Sequence, residues 1–150
     1  MGSTTTVTET DSTVTVTTTR LALYGALTAI TAVGVNVLVR LLALGVFDVP
    51  SGYDPLGWAP ILNTTIVAVI AATVLYGLLT RVSNRPNRTF GIVAAVVFLL
   101  SFVPLLVPPA FLAGAPPSVF VTLGVLHVTT AAVVLALLPR ATTASEDTVK

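Results

Sequence analysis

Four stretches of this chain are so long and so apolar that each must lie in lipid or be covered completely. They span about residues 21–46, 61–80, 90–107 and 119–138. A helix crossing the hydrocarbon core of a bilayer needs roughly 20 mostly apolar residues. In each stretch the apolar character runs nearly all the way round, where a soluble amphipathic helix would keep a polar face. A soluble core could hide one such run, but not four in 150 residues. The supply of charge agrees. Charged residues are 9% of the chain, against about 25% in a typical soluble domain, too few to coat a water-facing surface. The expected fold is therefore all-α, a four-helix transmembrane bundle whose first partner is the lipid bilayer.

Composition also removes several functions. The chain has no cysteine, which excludes disulfides, thiolate metal sites and thiol nucleophiles. A single histidine cannot build a histidine-based metal site or a bis-histidine haem site. A net charge of +1 offers no basic stripe for nucleic acid. The spans hold no acidic residue, as aspartyl intramembrane proteases, metal-dependent lipid transferases and glutamate-driven exchangers require. Glycine-rich phosphate loops are missing too. No cofactor and no metal is expected, and the chain reads as a non-enzyme.

Proline and arginine set the boundaries. Pro50, Pro55 and Pro60 break the chain between the first two runs, and Pro108, Pro109, Pro116 and Pro117 bracket the third loop. Ser118 is the expected N-cap of the last helix, and Pro139 its far limit. Pro104 should kink the third helix or end it early. Arg81, Arg85 and Arg88 share the short loop between the second and third runs, while Arg20 precedes the first run and Arg140 follows the last. The other two loops carry Asp48 and Asp54 and no basic residue. Cytoplasmic loops collect Lys and Arg, so both termini and the 81–88 loop should be cytoplasmic. Tyr24 and Tyr76 then mark the inner interface, and Phe47, Tyr53 and Trp58 the outer one.

The transmembrane domain is expected over residues 20–140. Residues 1–19 are threonine-rich and read as a disordered cytoplasmic tail, without the basic start of a signal peptide. MGSTTT fits the N-myristoylation pattern, though a four-span protein needs no lipid anchor. Residues 141–150 read as a short polar tail. Small residues four apart (Gly25 and Ala29, Ala68 and Ala72, Gly91 and Ala95, Ala132 and Ala136) suit close helix approach in lipid.

Polar groups inside the runs carry the functional information, because they are costly in hydrocarbon and face the bundle interior. Asn36 and Arg40 lie in the first run, Asn63, Thr64 and Thr65 in the second, Ser101 in the third and His127 in the fourth. At a rise of about 1.5 Å per residue, they fall in the middle and outer half of the bilayer. Asn36, Arg40, Asn63, Ser101 and His127 could line one ligand pocket open to the outside. Arg40 shares a helix face with Asn36. It either snorkels to the interface or to Asp48 or Asp54, or binds a ligand anion. His127 is either a proton relay, a donor to a headgroup or quinone-like carbonyl, or one end of an interhelical hydrogen bond, expected to Asn36 or Ser101. Ser101, Thr122, Thr129 and Thr130 are expected to bond back to their own helices. A Ser101–His127 catalytic dyad lacks any mark of an oxyanion hole.

Taken in order, Asn36 in GVNVLVR, Arg88 and Phe90 in RPNRTFGIVAAV, Ser101 in LLSFVP and His127 in LGVLHVTTA resemble a family of uncharacterised four-span membrane proteins. That family occurs in actinobacteria and halophilic archaea. The resemblance covers roughly residues 20–140 and implies a fold and a cell-membrane location, but no chemistry. The leading expectation is an integral membrane protein that binds or moves a small amphiphile or lipid. Two other readings stand beside it. One is a structural or accessory subunit, partnered by a second copy or another membrane subunit. The other is a membrane enzyme using His127 as acid or base.

Overall fold

A computed structural model describes residues 16–46, 49–50 and 53–143. Phe47, Asp48 and most of the expected tails lie outside them. Among the described residues, four helical segments are long and apolar enough to cross a membrane, so the chain is a multi-pass helical membrane protein. Helix α1 is Thr18–Val46, α2 is Trp58–Val82, α3 is Pro86–Leu100, α4 is Val103–Leu106, α5 is Pro117–Leu137 and α6 is Arg140–Thr143. Short 3-10 turns at Asp54–Leu56 and Ala110–Leu112 shape the two loops at one end.

Helix α1 is the backbone of the bundle, packed along α2 and α5. Its buried positions are Gly25, Thr28, Ala32, Asn36, Arg40 and Ala43. Spacings of three and four put them on one stripe. The stripe begins with small residues, so neighbours come close. A Cβ on Gly25 would sit 2.8 Å from Thr73 Cγ2, and one on Gly77 would sit 2.5 Å from Leu21 Cδ2. These two glycines let α1 and α2 touch backbone to side chain. The other small pairs do not all mark contacts. Ala132 and Ala136 are exposed, and a Cβ on Gly91 would meet nothing within 4 Å.

The apolar core has two centres. One gathers Ala32, Val69, Tyr76, Phe90, Val134, Leu138 and Ala141 at the end where the termini lie. The other gathers Ala43, Val49, Leu56, Ile61, Val119 and Leu126 at the loop end. Polar groups occupy the level between them. The C-terminal segment is part of this packing, since Ala141 and Thr142 are buried. Tyr76 Oη donates to Asn87 Oδ1 at 2.5 Å and meets Thr142 Oγ1 at 3.0 Å. Thr142 in turn donates to the Pro139 carbonyl at 2.7 Å. The tail read from residue 141 onward therefore starts with a docked turn. Likewise α1 starts at Thr18, and Val16 packs against the core.

Prolines position the helix starts and breaks. Helix α5 begins with Pro117 in its first turn and Pro116 at the N-cap, two residues ahead of the expected Ser118 cap. Its fixed φ suits that site, where the missing N–H has no partner to lose. Helix α3 begins four residues before the apolar run, at Pro86, for the same reason. The expected interruption at Pro104 is present. Helix α3 ends at Leu100, a turn follows at Ser101 and Phe102, and α4 resumes with Pro104 in its first turn. Pro104 offers no N–H to the Leu100 carbonyl, and its ring crowds that carbonyl. The third span is the least buried of the four and packs mainly on α2 and α5, with Asn87 also bonded to Thr142 of α6.

Candidate functional site

Helix α1 projects Asn36 into the centre of the bundle, 2% exposed. Its Nδ2 donates to Thr65 Oγ1 at 2.9 Å and to Thr130 Oγ1 at 2.8 Å. Its Oδ1 accepts from Thr129 Oγ1 at 2.7 Å. Thr65 donates onward to the Ile61 carbonyl and Thr130 to the Leu126 carbonyl. The amide thus uses both donors and its acceptor to join α1, α2 and α5. Thr129 and Thr130 bond back to their own helix as expected, and they also receive or reach Asn36, which sequence reading missed. Adjacent threonines are a usable signal here. One amide on a facing span needs both a donor and an acceptor.

Behind the two threonines lies a cavity of about 810 Å³ between α2, the broken third span and α5. That volume is within the range of small-molecule sites, roughly 300–1,000 Å³. Thr65 and Thr130 form part of its wall, with Thr64, Ser101 and His127. Asp54 lies at one end. The opposite end is apolar, lined by residues such as Ala72, Leu75, Phe90 and Val134. Ser101, at the break in the third span, borders the cavity, and the α2 wall offers alanine at positions 68, 71 and 72.

The five expected site residues are only partly brought together. Ser101 and His127 line the cavity. Asn36 stands behind the wall, hydrogen-bonded to Thr65 and Thr130. Asn63 is exposed and is not among the lining residues. Two positions separate it from Thr65, which on a helix turns it well away from the inner face. Arg40 is buried at 7% exposure but also does not line the cavity.

Arg40 neither pairs with Asp54 nor extends to solvent. Its Nε donates to the Leu56 carbonyl at 2.7 Å, and its guanidinium carbon lies 4.0 Å from the centre of the Trp58 ring. A cation over an indole face within about 6 Å is attracted by the ring quadrupole. The carbonyl and the ring together replace part of the hydration that burial removes. The 3-10 turn at Asp54–Leu56 aims that carbonyl inward, and no hydrogen-bond pattern in the sequence announces this.

His127 does not reach Asn36 or Ser101. Its Nδ1 lies 2.7 Å from the Leu123 carbonyl, one turn back on α5. A carbonyl oxygen can only accept, so Nδ1 carries the proton. The ring packs against Phe102, at 6.0 Å between centroids and tilted by 52°. A Cβ at Gly124 would meet Leu105 Cδ2 at 3.6 Å and Phe102 Cε1 at 3.8 Å, ordinary van der Waals contact, so this approach does not require glycine. Ser101 Oγ donates to the Phe98 carbonyl at 2.6 Å, the back-bonding expected of it. Among the described residues, no group of three or more acidic, histidine or cysteine side chains could hold a metal ion.

No curated protein matches the chain, and no solved structure does. Residues 16–144 match a protein family of unknown function, DUF6069. That match takes in all four spans, the Asn36 junction and the cavity, and the chain belongs to this family.

Proposed function

We propose that this protein is a non-enzymatic component of the cell membrane that binds a small amphiphile or lipid, or takes part in moving it, through the cavity between α2, the third span and α5. One observation carries the reading. The cavity changes polarity along its length, with Thr64, Thr65, Ser101, His127 and Thr130 toward the Asp54 end and only apolar side chains beyond them. From Thr65 to Leu75 the apolar half extends about 15 Å at the helical rise. A head among the polar groups and a tail in the apolar half would each meet matching surroundings. The arginine distribution supports placing the Asp54 end outside, so the head would face the exterior. The resemblance to four-span proteins of actinobacteria and halophilic archaea belongs to the same reading.

Filling the cavity tests it. Ala68 lines the space without belonging to either apolar core. The wild-type protein should leave the membrane carrying a lipid-sized adduct in native mass spectrometry, and Ala68→Phe should lose it while remaining folded. Equal adducts on both proteins would refute the reading.

A second reading is favoured by the Asn36 junction, whose polar groups are all engaged within the bundle. In that reading the chain is an accessory subunit whose polar residues lock helices. Stoichiometric co-purification of another membrane protein, with an empty cavity, would support it.

A further inference from the structure

The hydrogen-bonding groups in the cavity wall are one-sided, and this restricts what head group can be held there. Each hydroxyl has one proton to give. Thr64 gives its proton to the Pro60 carbonyl at 2.7 Å, Thr65 to Ile61 at 2.7 Å, Thr130 to Leu126 at 2.8 Å and Ser101 to Phe98 at 2.6 Å. The His127 Nδ1 proton points at Leu123. In the neutral ring Nε2 then carries a lone pair and no hydrogen. Thr65 and Thr130 have each spent one lone pair on Asn36. What the wall still offers is acceptors: Ser101 Oγ, Thr64 Oγ1 and His127 Nε2.

We propose that the cavity selects a neutral amphiphile whose head is a hydroxyl group, and discriminates against heads that only accept hydrogen bonds. This rests on the amphiphile-binding reading above. A quinone, ester or carboxylate oxygen could gain a wall hydrogen bond only by taking a hydroxyl proton from a helix carbonyl. That exchange makes one bond and breaks another, with nothing gained. A hydroxyl head donates to a free acceptor and breaks none. An ammonium head would also donate, but the acceptors around Ser101 and His127 carry no negative charge. The one acid of the lining, Asp54, is exposed at the mouth. A cation held deeper would be buried without its counter-charge. The functional donor role considered for His127 from the sequence is thereby replaced by an acceptor role.

The test is a competition read by native mass spectrometry on the full-length protein. Dodecanol and dodecyl methyl ether share a tail and an acceptor oxygen, and only the alcohol has an O–H. Presented together at equal concentration, the alcohol complex should exceed the ether complex about fivefold, the equivalent of one net hydrogen bond of about 1 kcal/mol. The preference should shrink toward unity in Ser101→Ala and in His127→Leu. The serine variant keeps the experiment decisive if the histidine variant fails to fold. Dodecylammonium should bind more weakly than dodecanol. If alcohol and ether bind equally to the wild type while Ala68→Phe binds neither, the hydroxyl preference is wrong and the cavity reading survives. If no probe binds the wild type, or if Ala68→Phe binds them all unchanged, both are wrong.

Discussion

Replacing Asn36 with leucine should separate the polar junction from simple packing. Leucine keeps a similar volume and removes the amide. The three threonines around it are not orphaned, because Thr65 and Thr130 donate to carbonyls of their own helices and Thr129 can turn its proton to the Val125 or Leu126 carbonyl. The loss is therefore limited to three contacts between helices, those of Asn36 with Thr65, Thr129 and Thr130. Interhelical hydrogen bonds in membranes average about 0.6 kcal/mol each, so Asn36→Leu should cost about 2 kcal/mol. Asn36→Asp has nearly the same shape and should cost more. It cannot supply two donors, and the Thr65 and Thr130 oxygens would face another oxygen in a site 2% exposed. Reversible unfolding in mixed micelles of rising SDS fraction, followed by far-UV circular dichroism, measures both. A double-mutant cycle of Asn36→Leu with Thr130→Val should return a coupling of about 0.6 kcal/mol. If Asn36→Leu unfolds at the wild-type SDS fraction and the cycle shows no coupling, the junction does not hold the three helices together.

Four further outcomes are expected. Arg40→Lys should lose about 1 kcal/mol in the same assay, because lysine has neither the planar face that stacks on Trp58 nor the Nε–H that meets Leu56; an unchanged midpoint would mean the residue merely snorkels. Gly34→Ala should stabilise α1 by about 0.5–1 kcal/mol, since a Cβ there meets nothing within 4 Å and alanine is the better helix former. Gly25→Ala should destabilise it, because the new Cβ would press on Thr73, whose hydroxyl is tied to Val69; thermal midpoints that move together would contradict the packing at that crossing. The chain has no native cysteine, so Ser83→Cys and Ser51→Cys can each be labelled cleanly in intact cells; Ser51→Cys should react with an impermeant maleimide and Ser83→Cys only after permeabilisation, and the reverse pattern would overturn the arginine-based orientation.

The sequence determined the four spans. Lipid leaves a backbone no water to bond to, so each long apolar run must satisfy its own N–H and C=O groups as a helix. Length and apolarity suffice for that inference, and Pro104 and Pro117 act through covalent constraints that travel with the residue. What the sequence could not supply was the direction each polar side chain faces. In a soluble helix a polar face reveals the rotation about the axis, but these runs are apolar all round and carry no such mark. Asn36 and Asn63 look alike as single amides in apolar runs, yet one joins three helices and the other is exposed. Arg40 and Asn36 share a face, yet Arg40 meets a carbonyl and an indole delivered by a 3-10 turn, away from the cavity. Those partners are set by how α1 packs between α2 and α5, where Gly25 and Gly77 allow contact. They are set too by the broken third span, which leaves room beside α2 and α5. Such contacts join residues 29 to 94 positions apart in the chain, and only the packed bundle decides which of them meet.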